Sequence, residues 1–290
     1  MANLSKRLPT NVEENFFVDS TCIDCDTCRQ LAPMTFVEKG DYSTVFHQPA
    51  NKPEELAAYQ ALIACPVGSI GVLEKNDFQF THAKISFPME LETGVYYNGF
   101  NSEKSFGANS YFVHHPDGNW LIDSPRYLKH LVDVFQRLGG IRYIFLNHED
   151  DIADASRYAK RFGAKRIIHR ADMRALPDAE WVVHGEEIIS AHPEFSIIPV
   201  PGHTQGSLAL LYNHRFLFTG DHLWWNPYRE ELETPSILIW DETQLRRSLS
   251  RLLQISFEWV LPGHGHRVYL GAKAMQHHVK ALVEARSWTF

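Results

Sequence analysis

Apolar positions in the second half of the chain come in short runs broken by turn formers. Leu208 to Tyr212 and Phe216 to Phe218 are too brief for helices and flank Asn213-His214-Arg215, which predicts a hairpin. The stretch Ile197 to His222 therefore reads as strand, turn, strand, turn, strand. Upstream, the alternating stretches Phe87 to Asn98 and Asn109 to His115, then the turn Pro116-Asp117-Gly118-Asn119 and Trp120 to Asp123, predict antiparallel strands. Leu128, Leu131, Val132, Phe135 and Leu138 have helical spacing from Arg126 to Leu138, and Gly139-Gly140 stops them. Ile141 to Leu146 reads as a buried strand, Ile152 to Phe162 as a helix, Ala164 to His169 as a strand and Trp181 to Ile188 as extended. Helices are expected at Pro53 to Ala64, Thr243 to Ile255 and Ala272 to Arg286, with a strand at Trp259 to Leu261. The residues up to Phe16 read as a loose arm, and polar Leu73 to His82 as a linker or boundary.

A chain of 290 residues with 44% hydrophobic content can bury a sizeable core, as one large domain or a medium domain plus a small one. Its formal charge of -7 gives no electrostatic case for a nucleic-acid partner. No apolar run approaches the roughly 20 residues of a membrane span, and Met1 to Thr10 lacks the apolar core of a secretory signal. The expectation is a soluble cytoplasmic protein with no membrane partner. All 4 cysteines fall within the first 65 residues and most of the 16 histidines lie downstream, the first sign of two modules with different chemistry.

Cys22, Cys25 and Cys28 form C-x2-C-x2-C, and Cys65-Pro66 follows the helix-like stretch. Three thiolates this close cannot all pair with one another, but a turning loop can aim them at one inorganic cluster, with the distant cysteine in the fourth position. Disulfides would need an oxidising compartment. A four-cysteine zinc site usually shows two separated C-x2-C pairs. With Ala32-Pro33-x-x-Phe36 and Cys65-Pro66-Val67-Gly68-Ser69-Ile70, the segment from about Asn15 to Leu73 resembles single-cluster bacterial-type ferredoxins. The resemblance implies a [4Fe-4S] cluster on Cys22, Cys25, Cys28 and Cys65.

The larger remainder carries the other chemistry. His203 follows Pro201-Gly202 and Asp221 follows Gly220, so an imidazole and a carboxylate stand at strand ends where they can converge on one divalent cation such as Zn or Fe. His148 and Asp150 follow a strand and can face the same side of an extended loop; Asp150 reads as a ligand. For Asp151 and Asp154 two readings stay open: metal ligation, or acidic residues favoured at the positive end of the next helix. Trp224 and Trp225 read as a pocket wall or as ordinary loop packing. His222, His266, His277 and His278 read as surface or packing residues.

His148, then Gly-His203-Thr-x-Gly-Ser, then Thr-Gly-Asp221, then Pro-Gly-His264-Gly occur in the order seen in metallo-β-lactamase-fold proteins, a resemblance running from about Ile85 to Phe290. It implies an α+β chain: residues 1–80 a small ferredoxin-like domain with its amino-terminal arm, and residues 81–290 a four-layer αβ/βα sandwich with metal at the edge where two sheets meet. In that family the aspartate matching Asp221 bridges two metals, and the histidine matching His264 belongs to the second. The chain departs from the family's H-x-H-x-D-H, because the same positions read His148-Glu149-Asp150-Asp151-Ile152-Ala153. Ile152 and Ala153 cannot coordinate a cation.

The first site keeps His148, His203 and Asp221 with Asp150 as a fourth, and a second keeps Asp221 and His264. One Zn or Fe ion is expected, with a second left open. Asp150 or Asp221 would orient a water or take its proton. Two functions are expected: hydrolysis of a small ester or thioester, or redox chemistry at iron on a thiol-type substrate, with a redox partner protein reducing the cluster. The competing expectation is a non-catalytic electron-transfer or redox-sensing module with a degenerate metal site.

Overall fold

Asn51 opens the helix Lys52–Ala64 by accepting a hydrogen bond from the Glu54 amide at 3.0 Å, with Pro53 in the first turn. Asn76 does the same for Asp77–Ile85, accepting from the Gln79 amide at 3.2 Å. The stretch expected as a linker is therefore half helix: its polar face is solvated while Ala83 and Gln79 are buried. The computed structural model describes residues 2–285, which fall into two compact units divided between Ile141 and Arg142.

In the first unit, Phe16–Val18 pairs antiparallel with Ile70–Val72, and Phe36–Glu38 with Ser43–Val45. Phe16 meets Tyr59 of the long helix edge-on at 5.1 Å. The amino-terminal residues are not a loose arm. Asn11 is buried and binds the main chain four times: its Nδ2 donates to Leu8 O (2.7 Å) and Val18 O (2.8 Å), and its Oδ1 accepts from the Val18 and Val45 amides at 3.0 Å each. Asn11→Ala would take this acceptor from the buried Val18 and Val45 amides, at about 1–3 kcal/mol per group, while the Leu8 and Val18 carbonyls keep the Asn11 and Leu8 amides. A loss of about 3 kcal/mol or more in unfolding free energy is expected, measured by denaturant titration.

The same unit continues with Met89–Glu92, Val95–Tyr97, Tyr111–Val113 and Trp120–Ile122, each antiparallel to the next, as the alternation predicts. The helix Lys129–Arg137 lays Leu131, Val132 and Phe135 inward, and Phe135 stacks on Phe112 at 4.7 Å.

The second unit opens with parallel strands Tyr143–Phe145, Lys165–His169 and Trp181–Val183, the first two joined through the helix Ala155–Phe162. Ile189–His192, Phe195–Pro199, Leu208–Tyr212 and Phe216–Gly220 follow as an antiparallel meander. Trp259–Pro262 then joins Phe216–Gly220 in parallel, after the amphipathic helix Glu242–Leu252. Leu245, Leu249 and Leu252 pack that helix into a core with Ile198, Leu217, Val260, Met275 and Val279. The last helix is Ala272–Ala285; Arg286, expected to end it, lies outside the described residues. No helix among the described residues is long and apolar enough to cross a membrane.

Candidate metal centre and cluster site

Each expected metal-binding residue of the second unit sits just beyond a strand. Asn147, after Tyr143–Phe145, donates its side-chain amide to Leu208 O (2.6 Å) and Phe218 O (3.2 Å), which fixes the start of the His148 loop against two strands. His203 follows Phe195–Pro199 through Pro201-Gly202, and Asp221 directly follows Phe216–Gly220. Residues 55 and 18 positions apart in the chain thus meet.

His148 Nε2 lies 3.7 Å from an Asp150 oxygen and 3.7 Å from an Asp221 oxygen; His203 Nε2 lies 3.7 and 3.8 Å from the same two atoms. These separations are longer than hydrogen bonds. Ligand atoms 2.0–2.2 Å from one tetrahedral Zn would lie about 3.3–3.6 Å apart, only slightly closer. The two imidazole rings stand nearly perpendicular, centroids 4.8 Å apart. His148 Nε2 and both nitrogens of His203 have no hydrogen-bond partner. Buried polar atoms left so are costly, and a cation between them would satisfy them. The donor set fits a divalent metal.

The electrostatics agree. Burial lowers the basicity of His148, against the pull of Asp221, and so favours the neutral imidazole a metal needs. Burial also opposes charge on His203, but the Asp150 and Asp221 carboxylates outweigh it and raise its pKa. Asp221 is buried, which would raise its pKa, yet His264, His148 and His203 hold it well below the usual carboxylate range. Asp150, whose side chain is 67% exposed, is held low chiefly by His203.

His264 takes a different place from His203. Its Nδ1 sits 2.8 Å from both oxygens of Asp221, and its amide donates to Asp221 Oδ1 at 3.0 Å. Asp151 reaches the same side: Asp151, Asp221 and His264 form a second group with donor atoms within 4.8 Å of one another. The sequence left Asp151 and Asp154 level. Both are buried, but the short 3-10 turn Glu149–Asp151 brings Asp151 to Asp221 and His264, while Asp154 precedes the helix Ala155–Phe162, 3.9 Å from Arg157.

His222, read as a surface or packing residue, is fully interior. Neither ring nitrogen has a hydrogen-bond partner, and burial beside His203 pushes its pKa down to about 3. Trp224 packs against Gly265 of the His264 turn and Trp225 meets His278 at 5.1 Å. A feature missed in the sequence is the run Ile237, Leu238 and Trp240, exposed at 75%, 78% and 50%. The Trp240 amide donates to Gly202 O (2.9 Å) and His203 O (3.0 Å), which holds this apolar edge beside His203.

In the first unit Cys22, Cys25, Cys28 and Cys65 line one small pocket, and all four are free thiols. The Asp24 amide donates to Cys22 Sγ at 3.4 Å, and Ser69 Oγ lies 3.4 Å from Cys65 Sγ. Burial pushes the Cys25 thiol up to about 12 and raises Cys28 as well. Thiolates gathered there need cationic iron to compensate them, so the donor set fits an iron-sulfur cluster. Gly107 presses on the loop: a Cβ at its φ of +89° would lie 2.7 Å from Cys25 Cβ, so only glycine permits the approach.

Comparison with known proteins agrees with both halves. Residues 18–72 match the 4Fe-4S single cluster domain of ferredoxin I, and residues 93–284 match a metallo-beta-lactamase superfamily model. A hydroxyacylglutathione hydrolase of Xanthomonas euvesicatoria pv. vesicatoria is 30% identical over 110 residues, covering 37% of this chain and 43% of the relative. A beta-lactamase-like protein 2 homolog of Drosophila melanogaster is 24% identical over 180 residues, 55% of this chain and 59% of that one. The chain thus spans about half the length of these curated relatives. Among solved structures, the DIM-1 metallo-beta-lactamase aligns with a TM-score of 0.50 at 16% identity, covering 68% of this chain and 96% of that one, which speaks for the fold alone. The chain therefore belongs to the metallo-beta-lactamase superfamily, with a ferredoxin-type iron-sulfur domain fused ahead of the metallo-beta-lactamase domain.

Proposed function

We propose that residues 81–290 are a metal-dependent hydrolase of a small ester or thioester, with one divalent cation held by His148, His203 and Asp221 and a position left open for water beside Asp150. Residues 1–80 would carry the [4Fe-4S] cluster on Cys22, Cys25, Cys28 and Cys65. The observation that carries this reading is the set of 3.7–3.8 Å separations among two imidazoles and two carboxylates, with the imidazole nitrogens otherwise unsatisfied. A cation there polarises a carbonyl and acidifies water near neutral pH. Asp150, exposed and ionised, is placed to accept a proton from an attacking water. Asp221, clamped by His264, orients the centre from its buried side. The exposed edge Ile237, Leu238 and Trp240 offers an acyl group an apolar surface next to His203. The hydrolase name of the Xanthomonas relative supports a thioester among the candidates.

A second reading, oxidation of a thiol at iron, is favoured by the fused cluster, since hydrolysis needs no electrons. Two histidines and a carboxylate with open positions suit non-haem Fe(II). Anaerobic purification with elemental analysis, followed by assays on hydroxyacyl thioesters of glutathione and of oxygen uptake with free thiols, separates the readings. Zinc with thioester cleavage supports the first, and iron with oxygen uptake the second. No metal beyond the cluster supports the non-catalytic electron-transfer or sensing module instead.

A further inference from the structure

Asp172 is 2% exposed and belongs to the 3-10 segment Arg170–Ala175, after the strand Lys165–His169. It touches none of the proposed ligands, yet two of the three bonds of its carboxylate go to a residue next to one. Oδ2 accepts from the Glu149 amide at 3.1 Å and from Thr204 Oγ1 at 2.6 Å; Oδ1 accepts from the Gly206 amide at 2.9 Å. Glu149 adjoins His148, and Thr204 adjoins His203. One buried carboxylate therefore joins the two loops that deliver the imidazoles. The Arg174 guanidinium, from the same 3-10 segment, grips the Glu149 carboxylate with two nitrogens.

The local sequence is shaped around this clamp. A Cβ on residue 206 would lie 2.5 Å from Asp172 Cγ, so Gly206 is required for the carboxylate to reach its amide. Ser207 Oγ accepts from the Thr204 amide at 3.0 Å and lies 2.9 Å from Thr204 Oγ1. That arrangement leaves the Thr204 hydroxyl hydrogen directed to Asp172, and the Gly-His-Thr-x-Gly-Ser stretch closes on the aspartate at both ends. Formally anionic groups are seldom buried without a cationic partner; this one is balanced by two amides and a hydroxyl, an arrangement that fixes direction well.

We infer that Asp172 is the positioning residue of the metal centre, holding His148 and His203 at the separation one cation requires. The inference rests on the metal-binding reading above. Asp172→Asn keeps the shape but replaces one acceptor by a donor, which must face an N–H or O–H that now has no acceptor. Partners that orient metal ligands typically cost 10–100-fold in affinity when lost.

The test is Zn(II) binding to the full chain, cluster intact, by competition with a fluorescent chelator, with thermal unfolding measured on the same samples after metal removal. Asp172→Asn is expected to bind Zn(II) about 10–100-fold more weakly. Should it fail to fold, Thr204→Val, which removes one donor alone, is expected to weaken binding in the same direction by a smaller factor. A variant that unfolds at lower temperature but binds Zn(II) within twofold of the wild type overturns the inference, since it shows Asp172 acting on stability only. Failure of the wild-type protein itself to bind Zn(II) would instead sink the metal-centre reading, a distinguishable result.

Discussion

His203→Ala is expected to weaken Zn(II) binding by more than about 100-fold, beyond the 10–100-fold typical for a group that only orients a ligand. Catalysis dependent on that ion should fall with it. The reason is geometric: His203 Nε2 lies 3.7–3.8 Å from both carboxylates of the group, so the substitution removes one of the two imidazoles that face them. The same variant tests whether the imidazole is there for the metal or for packing. Both nitrogens of His203 are unsatisfied, so the folded metal-free protein holds an unpaired polar ring at a cost. Removing the ring relieves that cost and partly offsets the lost packing, and metal-free His203→Ala should unfold close to metal-free wild type. The two diverge once metal is added. At a free Zn(II) concentration 100 times its dissociation constant, the wild type gains about 2.7 kcal/mol and the variant much less. Equal stabilisation of both by Zn(II), read from thermal unfolding, would show that the ion binds elsewhere.

Most of this candidate centre is legible in the sequence, because the residues fall at strand ends and turns that short apolar runs mark out. His148, Asp150, His203, Asp221 and His264 needed only the hairpin at Asn213-His214-Arg215 and the glycine turns to be placed. Asp151 was not separable from Asp154, since which one reaches Asp221 and His264 depends on a single 3-10 turn after His148. Asp172 gave no signal: it follows a strand as an ordinary polar residue, and its three partners lie 23 to 34 positions away. His222 shares the difficulty, for neither its spacing nor its neighbours announce that its ring is interior. The helix Asp77–Ile85 was hidden by polar composition, although Asn76 is a good capping residue. Asn11 shows the opposite failure, where a polar residue in a polar stretch turned out to organise the buried main chain around it.

The second large effect belongs to the iron-sulfur half. Cys65→Ser, purified without oxygen, is expected to lose most of the broad visible absorbance of the cluster, with iron and sulfide falling together. Serine is nearly isosteric, but its hydroxyl is far less acidic than a thiol and its oxygen is a harder donor than the sulfur that clusters require. Cys65 caps the helix Lys52–Ala64, its amide bonded to Ala61 O at 2.9 Å, so its sulfur is carried on a rigid element and no other cysteine can replace it. Because the cluster ties the loop of Cys22, Cys25 and Cys28 to that helix, its loss should also lower the unfolding temperature of the first unit. Zn(II) content should hold in the same variant, since every proposed ligand of that ion lies in the other compact unit. Full retention of the absorbance would remove Cys65 from the ligand set; loss of Zn(II) along with the cluster would show that the two centres depend on one another for assembly.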